Sequence, residues 1–95
     1  MRGAGPLKFT DRVRDKIRRK HGVTVREVRE AHADACQDPT ALRNKGRDGW
    51  HFFGVTEEGR YLRVVAYEHA DAIWVATALP MSAAERRYYG GQKNR

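Results

Sequence analysis

The stretch Lys20-His21-Gly22-Val23-Thr24-Val25-Arg26-Glu27 holds the end of one helix and the start of the next. Gly22 can take the left-handed backbone that closes a helix, and Lys20 and His21 set donors against its last carbonyls. Thr24 and Glu27 have the Thr-x-x-Glu spacing of a capping box, and Val23 and Val28 that of a hydrophobic staple. A tight helix–Gly–helix corner therefore occupies the first third of the chain, and the strands that follow must pack around it.

Thr10-Asp11 opens the first helix, with Val13 and Ile17 as its buried stripe and Arg12, Arg14, Lys16, Arg18, Arg19 and Lys20 around the rest. So cationic a helix needs tertiary packing to persist. The second helix is expected over residues 25–36, with Val25, Val28, Ala31, His32 and Ala35 facing inwards and Asp38-Pro39 ending it. Residues 40–49 are polar and contain glycine, and read as a loop. The period then changes from helical to extended. Residues 50–55, 61–68 and 72–79 read as strands, joined by Glu57-Glu58-Gly59-Arg60 and His69-Ala70-Asp71, and such short connections make an antiparallel three-stranded meander. Pro80 is expected to stop the third strand. Ser82-Ala83-Ala84-Glu85 is a second capping box and opens a last helix to about Tyr89, which Gly90-Gly91 ends. Two helices, three strands and a helix make an α+β domain. We expect a flexible tail at residues 1–8, a single domain over 9–89 and a basic tail over 90–95.

With 95 residues the chain makes one domain with one modest core. Nineteen Lys and Arg against twelve Asp and Glu leave a net charge of +7 and a pI near 10.1, an attractive field for a polyanion or an acidic protein. The cations concentrate in three segments, residues 12–29, 43–47 and 86–95, which only folding can bring together. No apolar run approaches a membrane span, and the opening residues lack the apolar core of a secretory signal, so a cytoplasmic location is expected. Cys36 stands alone, which excludes an internal disulfide and a Cys-rich zinc site, and is expected to be a small buried side chain.

The middle strand alternates. Leu62, Val64 and Ala66 suit a face against the two helices, whereas Tyr61, Arg63, Val65 and Tyr67 point the other way. That second face could stack bases and meet phosphate, or Tyr61 and Tyr67 could lie under the last helix as core.

Phe9, then Lys20-His21-Gly22-Val23 with its capped helix, then Gly54-Val55, then Gly59-Arg60-Tyr61-Leu62-Arg63 with Val65-Ala66-Tyr67, then Ser82-Ala83-Ala84-Glu85-Arg86-Arg87-Tyr88-Tyr89 together resemble the BrnT toxins of type II toxin–antitoxin systems. The resemblance covers roughly residues 9–89. It implies a RelE-like fold and a small ribonuclease that arrests translation. It also implies a cognate antitoxin with a ribbon-helix-helix DNA-binding part, which covers the active surface in a hetero-oligomer. Members of that family usually end the last strand with Ser-Ala-Arg, where this chain has Thr77-Ala78-Leu79, and leucine cannot donate to a phosphate.

The four histidines, His21, His32, His51 and His69, lack ligand-like spacing, so no metal and no cofactor are expected. RNA cleavage without a metal requires a base near neutral pKa, cations on the phosphorane and an acid for the leaving oxygen. Lys20, His21, Arg60 and Arg86 are the candidate catalytic residues. His51, Arg63, Tyr67 and Arg87 are the candidate RNA-binding residues, with His51 an alternative to His21 for proton transfer. Each has a structural alternative. Lys20 and His21 can serve the first helix's C-terminus, Arg60, Arg86 and Arg87 can be solvated, and Glu85 is accounted for by capping. Trp50 and Trp74 read as core or partner-interface residues. The leading expectation is an endoribonuclease toxin component acting on RNA. The alternative is a catalytically inactive module that binds RNA or an acidic protein on the same fold, which Leu79 favours.

Overall fold

A computed structural model describes residues 7–37, 42–44 and 49–93, with side chains at 7–35 and 51–89. The expectations for residues 1–6, the side chains of Cys36 and Trp50, the stop at Asp38-Pro39 and residues 94–95 lie outside the described residues. Helix α1 spans Asp11–His21 and α2 spans Val25–Gln37. Thr10 caps α1 by accepting the Val13 N–H at 3.1 Å. Gly22 closes it at φ 63°, and the Gly22 and Val23 amides return to Arg18 and Ile17 carbonyls. The second helix starts as a reciprocal box, in which Thr24 N–H donates to Glu27 Oε1 at 3.0 Å and Glu27 N–H donates to Thr24 Oγ1 at 3.2 Å. Val23 and Val28 are fully buried, as a staple requires.

The sheet holds β1 (Leu7–Lys8), β2 (Leu42–Asn44), β3 (Gly49–Val55), β4 (Tyr61–His69) and β5 (Ala72–Pro80), in the order β1-β5-β4-β3-β2. The meander is therefore its centre, and two additions extend it. Residues 7–8, expected to be part of a flexible tail, pair in parallel with Ile73-Trp74, and Leu7 is buried. Part of the expected loop at 40–49 is an antiparallel strand, with Leu42, Arg43 and Asn44 facing Phe52, His51 and Trp50. A two- or three-residue strand carries too few side chains to show a period, so only its neighbours reveal it.

Helices α1 and α2 cover one face of the sheet, α1 over β5 and α2 over β3. Leu62, Val64 and Ala66, with Phe52 beside them on β3, meet them and are buried, with Ile17, Val28, Ala31 and Ala35 opposite. Gly54 permits the close approach of α2, because a Cβ there would stand 2.1 Å from the Ala31 carbonyl oxygen. Beyond Phe52 the outer edge of β3 is not covered by β2. Side chains of α2 take up amides at its end and in the turn beyond, Val55 N–H donating to Asp34 Oδ2 at 3.0 Å and Glu57 N–H to Glu30 Oε1 at 3.1 Å. On β5 the register skips Ala76 as a bulge, and Lys16 Nζ donates to the Ala76 carbonyl at 2.9 Å.

Helix α3 spans Ala83–Lys93 and lies against the other face. Ser82 and Glu85 form its capping box, with exchanged bonds of 2.9 and 3.1 Å. It runs four residues beyond the expected end at Tyr89. Two interior glycines cost a helix roughly 1 kcal/mol each relative to alanine. Buried Tyr89, packed edge-on against Tyr61 at 5.9 Å and donating its hydroxyl to Asp34, anchors the turn that precedes them. Pro80 closes β5 as its last residue rather than standing beyond it, opposite Leu62 on a stretch that β1 does not cover. An edge position tolerates the missing N–H.

Candidate functional site

The expected site residues fall into two groups on opposite sides of the sheet. The first gathers where α1 meets α2. Lys20 is exposed in the last turn of α1, and His21 is half-buried beside it. Arg60, at the turn before β4, reaches into the corner. Its Nη1 donates to the Gly22 carbonyl at 2.7 Å and to both Glu27 oxygens at 3.1–3.2 Å, and its Nη2 to the His21 carbonyl at 3.1 Å. One guanidinium thus satisfies two carbonyls at the end of α1 and the first-turn carboxylate of α2. Partial burial pushes the Glu27 carboxyl up, but the Thr24 N–H, the Arg60 guanidinium and the Thr24 hydroxyl outweigh it and hold the group below the usual carboxylate range. The adjoining hollow of about 430 Å³ is lined by Glu27, Glu30, Glu57 and Glu58 with Arg26 and Arg60. Four carboxylates against two guanidiniums make it a poor seat for phosphate.

The second group lies on the α3 side. Strand alternation and register set Tyr61, Arg63, Val65 and Tyr67 of β4 beside Val55, Phe53 and His51 of β3 and beside Leu79, Thr77 and Trp74 of β5. Tyr61 lies under α3, with the Arg86 guanidinium 4.7 Å above its ring centroid. Arg86 and Arg87 are exposed and, with Tyr61 and Ala83, line an open cavity of about 360 Å³. Tyr88 meets Phe53 edge-on at 6.1 Å, and His51 stacks on Phe53 at 5.6 Å. Tyr67 is 40% exposed opposite half-buried Trp74, and the two rings continue the face past the end of α3's contacts. The two readings of the tyrosines divide between them, Tyr61 lying beneath the helix and Tyr67 in the open.

Arg63 has the most unusual environment of the set. Its nearest charge is Glu85, with Nη1 3.6 Å from Oε2, too long for a hydrogen bond, and each side chain is 27% exposed. Arg63 Nε is buried and has no hydrogen-bond partner. An orphaned donor of this kind costs roughly 1–3 kcal/mol. Glu85, read from the sequence as a capping residue alone, therefore has a second contact through its other oxygen. Cross-strand register is the signal that could have placed Thr77 and Trp74 on this face, but it is fixed only once the β5 bulge is known.

The chain is similar in structure to the Brucella abortus ribonuclease toxin BrnT, solved as a crystal structure at 1.1 Å resolution. The match covers 83% of this chain and 99% of that one, with a TM-score of 0.59 and 14% identity. The fold is the BrnT fold. At 14% identity the likeness concerns the path of the backbone. No family model matches the sequence, and no curated protein matches it by sequence.

Set on the BrnT fold, this chain's α3-side face offers two exposed guanidiniums, one half-buried guanidinium, an imidazole and the rings of Tyr67, Trp74 and Tyr88 within one surface. Such a surface can neutralise backbone phosphates and stack unpaired bases. Among the described residues no helix is long and apolar enough to cross a membrane, and no three His, Cys, Asp or Glu residues group as metal ligands.

Proposed function

We propose that the protein is the toxin component of a type II toxin–antitoxin system, a metal-independent endoribonuclease that cuts RNA and blocks translation in the cytoplasm. The observation that carries this reading is the shared fold with a ribonuclease toxin over nearly the whole of that toxin's length. The basic and aromatic α3-side face supports it. In this reading Arg63, Arg86 and Arg87 meet RNA phosphates, Tyr67 stacks a base, and His51 takes the proton from the 2′-hydroxyl as it attacks phosphorus and returns it to the 5′-oxygen that leaves as the P–O5′ bond breaks. Cations aimed at the developing phosphorane charge supply the electrostatic part, and a positioned base adds about 10²–10⁴-fold. Lys20, His21 and Arg60 act through the corner, where Arg60 holds α1 against α2. A cognate antitoxin with a ribbon-helix-helix DNA-binding part covers the face and neutralises the activity.

Expression of the chain alone should slow growth and degrade RNA, and coexpression of the neighbouring gene product should reverse both. The purified protein should cleave a single-stranded RNA in the presence of a chelator, with Arg86→Gln and Arg87→Gln each lowering the rate at least about tenfold. Absence of cleavage at high enzyme concentration would remove the enzymatic claim. One observation favours the second reading, a module that binds RNA or an acidic protein without cutting. Leu79 brings no charge to the face, and Glu85 occupies its deepest cation. Retained RNA binding, weakening steeply with salt and without cleavage, is the outcome that selects this alternative.

A further inference from the structure

We propose that Arg63 is the phosphate-binding centre of the α3-side face and that Glu85 is its built-in competitor, displaced when an RNA phosphate arrives. The proposal rests on the reading of the protein as one that acts on RNA, and it gives that surface both a deepest contact and a means of control.

Three features of Arg63 support this assignment. It stands on the sheet's central strand, so its backbone is fixed on both sides by β3 and β5, unlike the cations of α3. Its guanidinium is incompletely used: Nε is buried without a partner, and Nη1 meets Glu85 only at 3.6 Å. Its cross-strand neighbours on this face are Phe53 and Leu79, which offer no acceptor. A guanidinium also presents its two terminal Nη–H groups as an end-on fork, and that fork, which includes the Nη1 that Glu85 meets, fits two oxygens of a phosphate. The carboxylate now nearest to it uses its other oxygen to cap α3, with Glu85 Oε1 accepting the Ser82 N–H at 2.9 Å. Glu85 is thus held by its capping bond at a distance where it neutralises Arg63 without satisfying it. A phosphate entering from the Arg86–Arg87 side would take Glu85's place at that terminal fork, and the guanidinium would lose only a long ion pair. Capping and competition reside in one side chain, so the helix start and the phosphate seat are coupled.

Glu85→Gln separates the two duties, because glutamine caps at this position as glutamate does but carries no charge. The probe is a fluorescein-labelled single-stranded RNA, 2′-O-methylated to block cleavage, followed by anisotropy from low to high salt. E85Q should bind about three- to tenfold more tightly than wild type. R63Q should bind about tenfold more weakly, with the slope of log K against log salt smaller by about 0.7. Should R63Q fail to fold by circular dichroism, E85Q alone decides, since removal of the competitor must tighten binding. E85Q binding no more tightly than wild type overturns the proposal, as does R63Q binding with wild-type affinity and slope. In either case cleavage by the wild-type enzyme leaves the ribonuclease reading intact. The expected binding pattern without any cleavage supports the Arg63–Glu85 assignment and removes the nuclease instead.

Discussion

Leu79 of β5 stands directly across from Arg63 of β4, so the two side chains share the α3-side face. Directly opposed residues on antiparallel strands hold their Cβ atoms roughly 4.5–5.5 Å apart. An arginine at 79 would therefore set a second guanidinium beside the first. Leu79→Arg should lower stability by about 0.2–1 kcal/mol through like-charge opposition and steepen the salt dependence of RNA binding by about 0.7 in slope. Chemical denaturation and salt-titrated anisotropy read the two effects separately. An unchanged slope would count against this face as the path of the RNA.

The Arg60–Glu27 clamp makes the corner sensitive to acid. The folded-state pKa of Glu27 is depressed, so its contribution is present above the unfolded carboxyl pKa of about 4.3 and is lost as pH falls through the lower folded value. Glu27→Gln should therefore cost more stability at pH 7 than at pH 3, and the difference between variant and wild type should narrow across that acid window. Urea midpoints at both values test this. Arg60→Ala, which also uncovers two α1 carbonyls, should cost about 1–2 kcal/mol at neutral pH.

Gly54 and Gly59 predict opposite magnitudes for one substitution. An alanine at 54 would drive its methyl into the Ala31 backbone, so Gly54→Ala should separate α2 from the sheet and cost more than about 3 kcal/mol. At Gly59 a Cβ meets nothing within 4 Å and only the φ of 87° is strained, giving about 1–2 kcal/mol. Thermal melts of the two variants should differ widely, and equal losses would show that α2 does not rest on Gly54.

The β4–β5 hairpin turns on Ala70 and Asp71, at φ 52° and 62°, between paired His69 and Ala72. Both positions want residues that accept left-handed backbone, and alanine is a poor one. The double variant Ala70→Asn, Asp71→Gly should raise stability by about 1 kcal/mol without altering RNA binding, as measured by denaturation and anisotropy on one preparation. A drop in stability would mean that the turn is not of this type.

The chain's local chemistry alone fixed its punctuation. Gly22 with Thr24 and Glu27, the Ser82–Glu85 box, the buried stripe of Ile17, Val28, Ala31 and Ala35, and the alternation of Leu62, Val64 and Ala66 are local patterns, and each appears in the fold where its spacing put it. They are legible because a cap or a periodic face is decided by residues within one or two turns of each other. Tertiary structure decided the rest. It turned residues 7–8 and 42–44 into edge strands, carried α3 past two glycines through the anchorage of Tyr89, and gave Glu85 a second oxygen to set near Arg63. It also divided the cations, drawing Arg60 into the helix corner while leaving Arg63, Arg86 and Arg87 on the far face. An arginine's long, flexible side chain finds whichever acceptor the folded backbone brings within reach, and Glu27 and Glu85 are distant in sequence from the arginines they meet.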